Sequence, residues 1–92
     1  MLTLPIKKKW FDMIASGEKK EEYREKTDYW AVRLHNQGPE FAVRFRNGYS
    51  LNSPSLDAIC SYRIGKGKEE WGAEKDKNYY VLIIHEIKNT SF

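Results

Sequence analysis

The sequence predicts an α+β domain, a small curled sheet or barrel flanked by short helices. Apolar spacing along the chain reads strand, helix, strand, helix and then three strands, joined by rather long loops. Ninety-two residues, 40% of them hydrophobic, suffice for one core and one domain, with no room for a second. Three Trp, six Tyr and four Phe argue against disorder, because each ring carries a large burial term.

Each element has its own signal. Residues 1–6 form a short apolar stretch with Pro5 near its end, an edge or opening strand. From Lys7 to Ser16, Trp10, Phe11, Ile14 and Ala15 recur at helical spacing, and Gly17 supplies a C-terminal stop. Residues 20–25 alternate as a strand, with Glu21, Tyr23 and Glu25 on one face and Glu22 and Arg24 on the other. Thr27 or Asp28 caps a second short helix reaching His35 and partly burying Trp30, Val32 and Leu34. Residues 40–46 alternate cleanly, Phe41, Val43 and Phe45 against Ala42, Arg44 and Arg46. Asn47-Gly48 is a turn dipeptide. Residues 56–64 place Leu56, Ala58, Cys60, Tyr62 and Ile64 together, and a charged, glycine-bearing loop runs from 65 to 77. The last strand, 79–87, is apolar on both faces, which suits a central position covered on both sides.

Composition narrows the function classes. The lone Cys60 rules out an internal disulfide and fits a reducing compartment. No apolar run approaches the roughly 20 residues needed to span a bilayer, and the N-terminus places its lysines after its apolar residues, the reverse of a secretory signal. The chain is therefore expected to be cytoplasmic and unprocessed. Net charge is only +3, but residues 31–66 carry Arg33, Arg44, Arg46, Arg63 and Lys66 against Glu40 and Asp57. That basic middle favours a polyanionic partner such as nucleic acid.

Conventional catalytic motifs are mostly absent. His35 and His85 lie far apart with no second ligand at metal spacing, so neither a metal nor a cofactor is expected. Cys60 falls on an apolar strand face, where cysteine is usually inert, and His85 falls with Val81 and Ile83 as a packed or edge residue. Gly65-Lys66-Gly67-Lys68 lacks the spacing of a P-loop.

Three features stand above this background. In SGEKKEEYRE, residues 16–25, Lys19 occupies the turn after the helix, and Glu22 and Arg24 project from one strand face. Such charges can hold each other's rotamers and present a guanidinium in fixed orientation, or form a solvated pair of little consequence. Arg44 and Arg46 share a face ahead of Asn47-Gly48-Tyr49, a surface suited to phosphate and unstacked bases, or an ordinary exposed strand face and turn. Trp71, between charges and glycine, reads either as a plug for the barrel or as a stacking platform.

The pattern Gly17-x-Lys19-x-x-Glu22-x-Arg24 after the helix of residues 9–16 resembles the signature of ASCH domains, small members of the PUA-like superfold. Phe45-Arg46-Asn47-Gly48-Tyr49 and Ile64-Gly65-x-Gly67-x-x-x-Trp71-Gly72-Ala73 agree in order, and the likeness is to the compact bacterial and phage type. The resemblance implies a PUA-like β-barrel of five or six mostly antiparallel strands with two or three short flanking helices. It also implies a cleft beside the signature, with RNA or a modified nucleoside as ligand. Ribonuclease and acylcytidine amidohydrolase activities are assigned within the family. In the amidohydrolases the motif lysine activates a threonine three residues later; here those positions are Lys19 and Glu22, and a carboxylate is a poor substitute for an acyl-accepting hydroxyl.

The sequence is therefore read as a single ASCH domain, residues 1–92, that binds RNA or a nucleotide-like ligand in a basic cleft. Lys19, Arg24, Arg44 and Arg46 are expected to contact phosphate. Glu22 is expected to orient Lys19 and Arg24 or to accept a base N–H, and Asn47, Tyr49 and Trp71 to supply hydrogen bonds and stacking. The enzymatic alternative makes Lys19 and Glu22 the catalytic pair of a nuclease or hydrolase; a third reading is a protein-interaction module built around Trp71. A monomer is expected, with weak dimerisation the alternative.

Overall fold

A computed structural model describes residues 1–91. Five strands form one curled sheet in the order β1-β3-β4-β5-β2, a half-barrel of the small PUA-like kind, with two α-helices and one 3₁₀ turn. The strands are β1 (Leu2–Ile6), β2 (Glu21–Arg24), β3 (Phe41–Asn47), β4 (Ser55–Lys66) and β5 (Asn78–Ser91). Helix α1 is Lys8–Ala15, α2 is Asp28–His35, and the 3₁₀ turn is Glu69–Trp71. β1 runs parallel to β3, while the β3–β4, β4–β5 and β5–β2 pairings are antiparallel. Among the described residues no helix is long and apolar enough to cross a membrane.

The elements follow from local sequence. Phe11 and Ile14, one turn apart on α1, are buried against the sheet, and Gly17 ends the helix at φ 85°, a left-handed conformation that glycine adopts without strain. The chain then reverses tightly, with Lys19 N–H bonded to Met13 C=O at 2.9 Å. Thr27 caps α2 by accepting from Trp30 N–H. Within α2, Leu34 is buried and Trp30 packs beside it, one turn away. Val32 departs from expectation and is 60% exposed. A residue two positions from both Trp30 and Leu34 sits about 200° around the helix from each, so the three cannot share a face.

The main core lies inside the curl, where Leu4, Val43, Phe45, Leu56, Ala58, Cys60 and Leu82 meet Phe11, Ile14 and Leu34 from the helices. Each large apolar side chain buried there contributes roughly 1.5–3 kcal/mol. A smaller cluster covers the other side of β5, where Tyr79 and Val81 pack against Ala73, Tyr23 and Ile83. β5 is thus apolar on both faces because the 67–77 connection folds over its outer side, residues 65 and 66 of the expected loop belonging instead to β4. β4 runs farther than its alternation alone indicates, and Ile64 emerges into solvent, 52% exposed, instead of joining Tyr62 against the core.

Candidate functional site

The two edges of the sheet approach each other without pairing. At this seam Arg24 Nη2 on β2 donates to the Pro5 carbonyl of β1 at 3.3 Å. Beside it opens a cleft of about 420 Å³, within the range of ligand pockets. Pro5, Ile6 and the rim lysines Lys7 and Lys8 form one wall, and Glu22, Tyr23 and Arg24 form the opposite one. Asn47, Gly48 and Tyr49 come from the end of β3, Trp10 from α1, and Trp71 and Gly72 from the 3₁₀ turn.

Behind the Glu22 wall lies a buried charge network. Glu22 Oε1 is 3.1 Å from Lys19 Nζ, and Glu22 Oε2 is 3.2 Å from Arg24 Nη2. The Lys19 ammonium also donates to the Trp71 carbonyl and sits 4.9 Å from the ring centroids of both Trp10 and Tyr23. Every direction an ammonium can use is thereby engaged by protein. Burial pulls the Lys19 pKa below its usual range, opposed by the attraction and hydrogen bond of Glu22. Arg24 stacks over Trp30 at 5.4 Å, and its Nε is buried without a hydrogen-bond partner.

The loop carrying Trp71 is seated by close fit. Tyr23 Oη accepts from Lys68 N–H at 2.9 Å and donates to Glu21 Oε1 at 2.8 Å. Burial raises the Tyr23 pKa, keeping the phenol protonated as that donor. A Cβ at Gly67 would lie 2.3 Å from the Tyr23 ring, and one at Gly72 would lie 3.0 Å from the Trp10 ring. Gly72 also sits at φ 101°, so a side chain there is disfavoured twice over. Trp71 lines the cleft, while Lys68 Nζ stands 4.4 Å from its ring centroid.

The structure thus brings Glu22, Arg24, Asn47, Tyr49 and Trp71 into one cleft, with Tyr49 at the rim and 89% exposed. It places the other expected residues elsewhere. Lys19 stands behind the wall, its side chain fully buried, and presents no donor to a ligand there. Arg44 points to the outer face of β3, where its Nε and Nη2 hold Asp57 at 2.7 and 2.9 Å beside a separate cavity of about 170 Å³. Arg46, next to Pro5 in register, is outside the cleft lining. The reason is strand geometry: Asn47 follows Arg46 and points the opposite way.

Sequence reasoning overlooked Trp10 and Tyr23 as cleft residues. Phe11 and Ile14 mark the buried centre of α1, leaving Trp10 at its margin, and a Trp-Gly step in a charged loop signals both a ring and bare backbone for another ring to approach. Elsewhere, Cys60 is buried and its thiol pushed up to about 12 by desolvation, which makes it unreactive. His85 is exposed and hydrogen-bonded to Ser61 Oγ at 2.7 Å. Among the described residues, no group of three or more His, Cys, Asp or Glu side chains is placed to hold a metal ion.

Comparison with known proteins adds one partial likeness. A 59-residue stretch, 63% of this chain, is 32% identical to part of the beta-galactosidase LacZ of Heyndrickxia coagulans. The match spans 8% of that protein's length. No protein-family profile matches the chain. No solved structure matches it either.

Proposed function

We propose that the chain is an ASCH-type, PUA-like domain that binds RNA or a nucleotide-like ligand in the cleft between β1 and β2, as a cytoplasmic monomer. The observation that carries this reading is the cleft's composition: Trp10, Tyr23, Tyr49 and Trp71 around a cation-flanked carboxylate and an amide, with Lys7 and Lys8 at the rim. Aromatic faces stack on bases whatever the sequence, and rim lysines attract the phosphate backbone. The signature positions support the assignment by how they divide the work. Arg24 and Glu22 form the wall, and Lys19 holds them from behind.

Lys19 fits a positioning role better than a catalytic one, since its donors are committed to Glu22, Trp71 and two rings. A hydrolase or nuclease using this lysine would first have to withdraw it from all of them.

The test is direct titration with single-stranded RNA over a series of salt concentrations. Affinity is expected to fall linearly on a log–log plot, with a slope set by the phosphates neutralised. Absence of salt-sensitive binding to single-stranded and structured RNA alike overturns the reading.

A further inference from the structure

We propose that the cleft selects guanine, reading its Watson–Crick edge with the carboxylate of Glu22. This deepens the proposal above and depends on the cleft being a nucleotide site.

Each carboxylate oxygen offers two lone-pair sites. In Glu22, Lys19 Nζ stands 3.1 Å from Oε1 and Arg24 Nη2 3.2 Å from Oε2, so each oxygen has one cation beside it and keeps capacity to accept from a further donor. The carboxylate, paired with a cation at each oxygen, accepts hydrogen bonds and does not donate them. It is also only 9% exposed and lines the cleft, so any partner it finds there is bound with little competition from water. Two adjacent acceptors match two parallel N–H donors, the same fork that pairs guanidinium with carboxylate. Guanine, through N1–H and the N2 amine, is the standard base with two donors side by side. Adenine and cytosine each set one amine next to an acceptor nitrogen, and uracil sets its single N–H between two carbonyls.

The rest of the cleft agrees with that edge. Lys19 is fully buried, and Arg24 Nη2 is already shared between Glu22 and the Pro5 carbonyl, so neither nitrogen offers an uncommitted donor beside the carboxylate to an acceptor-rich base. On the β3 side the Asn47 side chain makes no hydrogen bond among the described residues, and its NH₂ can serve guanine O6 or N7. The aromatic rings favour a neutral base over a cationic ligand. Lys9 and Lys19 already stand over Trp10, Lys19 over Tyr23 and Lys68 over Trp71, so the protein supplies its own cations to these rings.

The experiment compares a short oligouridylate with the same oligomer carrying one central guanosine, inosine or adenosine, by calorimetric titration of the intact chain. Guanosine is expected to tighten binding roughly tenfold or more over uridine and over adenosine, the range of one good bidentate contact. Inosine keeps N1–H but lacks the N2 amine, and should recover only part of that gain. Glu22→Gln should bring the ratio of guanosine to uridine affinity close to one, whatever it does to affinity overall; if that variant does not fold, the inosine comparison on the unaltered chain decides. Equal affinity for guanosine, adenosine and uridine overturns guanine selection and leaves the nucleic-acid cleft standing. No binding of any oligomer overturns both.

Discussion

Lys19 and Trp71, fifty-two positions apart, are joined by a hydrogen bond from the buried ammonium to the backbone carbonyl. The same ammonium pairs with Glu22, so one side chain ties the carboxylate wall of the cleft to the turn that carries its indole. This makes the cleft a property of the fold: its opposing groups are held before any ligand arrives, which spares binding the cost of ordering them.

Replacing Lys19 with methionine should cost on the order of 3 kcal/mol of stability, since it leaves Glu22 buried with half of its pairing and frees the Trp71 carbonyl. Lys19→Met with Glu22→Leu should recover part of that loss, because the uncompensated carboxylate goes too. Urea denaturation of the single and double variants checks both. A single variant as stable as the parent would remove Lys19 from the structural role given to it.

Gly67→Ala should destabilise the chain by about 1–3 kcal/mol, the usual cost of forcing atoms into a packed site. The added Cβ would meet the Tyr23 ring at 2.3 Å and the Ala73 Cβ at 2.8 Å. Gly17→Ala meets nothing within 4 Å and should cost only its backbone strain at φ 85°. Thermal melts of the two variants separate crowding from conformation.

Acid should weaken the fold in part through Asp57. The Arg44 guanidinium, by hydrogen bond, holds this carboxyl below its usual 3.8. The folded state therefore binds its proton less readily than the unfolded chain does. That contribution is complete above the unfolded value and is lost as pH falls through the lower, folded one. Melting temperatures of Asp57→Asn between neutrality and strong acid should fall less steeply than those of the parent. Parallel curves would show that the Arg44–Asp57 pair carries none of the acid sensitivity.

How far the sequence disclosed all this depends on which geometry each residue required. Alternation along β3 needed only the two-residue period, so the burial of Phe41, Val43 and Phe45 was legible at once. The same period misled at Arg44 and Arg46, since it showed that they share a face but not that this face looks away from the seam. Lys19 was legible as part of a motif, whereas its burial depends on Trp10, Tyr23 and Trp71 arriving from three other segments. Ile64 and Val32 were placed by apolar character, and both lie where an element runs past or turns away from the core.

If the cleft is the binding site, substitutions should rank by their place in it and not by charge alone. Trp71→Ala removes a wall, and loss of one stacking ring costs about 1–3 kcal/mol, or roughly 5- to 150-fold in affinity for single-stranded RNA. Arg24→Ala should weaken binding strongly as well, because it opens the seam at Pro5 and leaves Glu22 Oε2 without its cation. Arg44→Ala removes the same charge from the outer face, where Asp57 already neutralises it, and should change affinity by no more than about twofold. Fluorescence anisotropy with one labelled oligonucleotide, at one salt concentration and with circular dichroism to confirm folding, compares the three. Equal losses for Arg24→Ala and Arg44→Ala would mean that the basic surface binds as a whole and that the cleft has no special part in it.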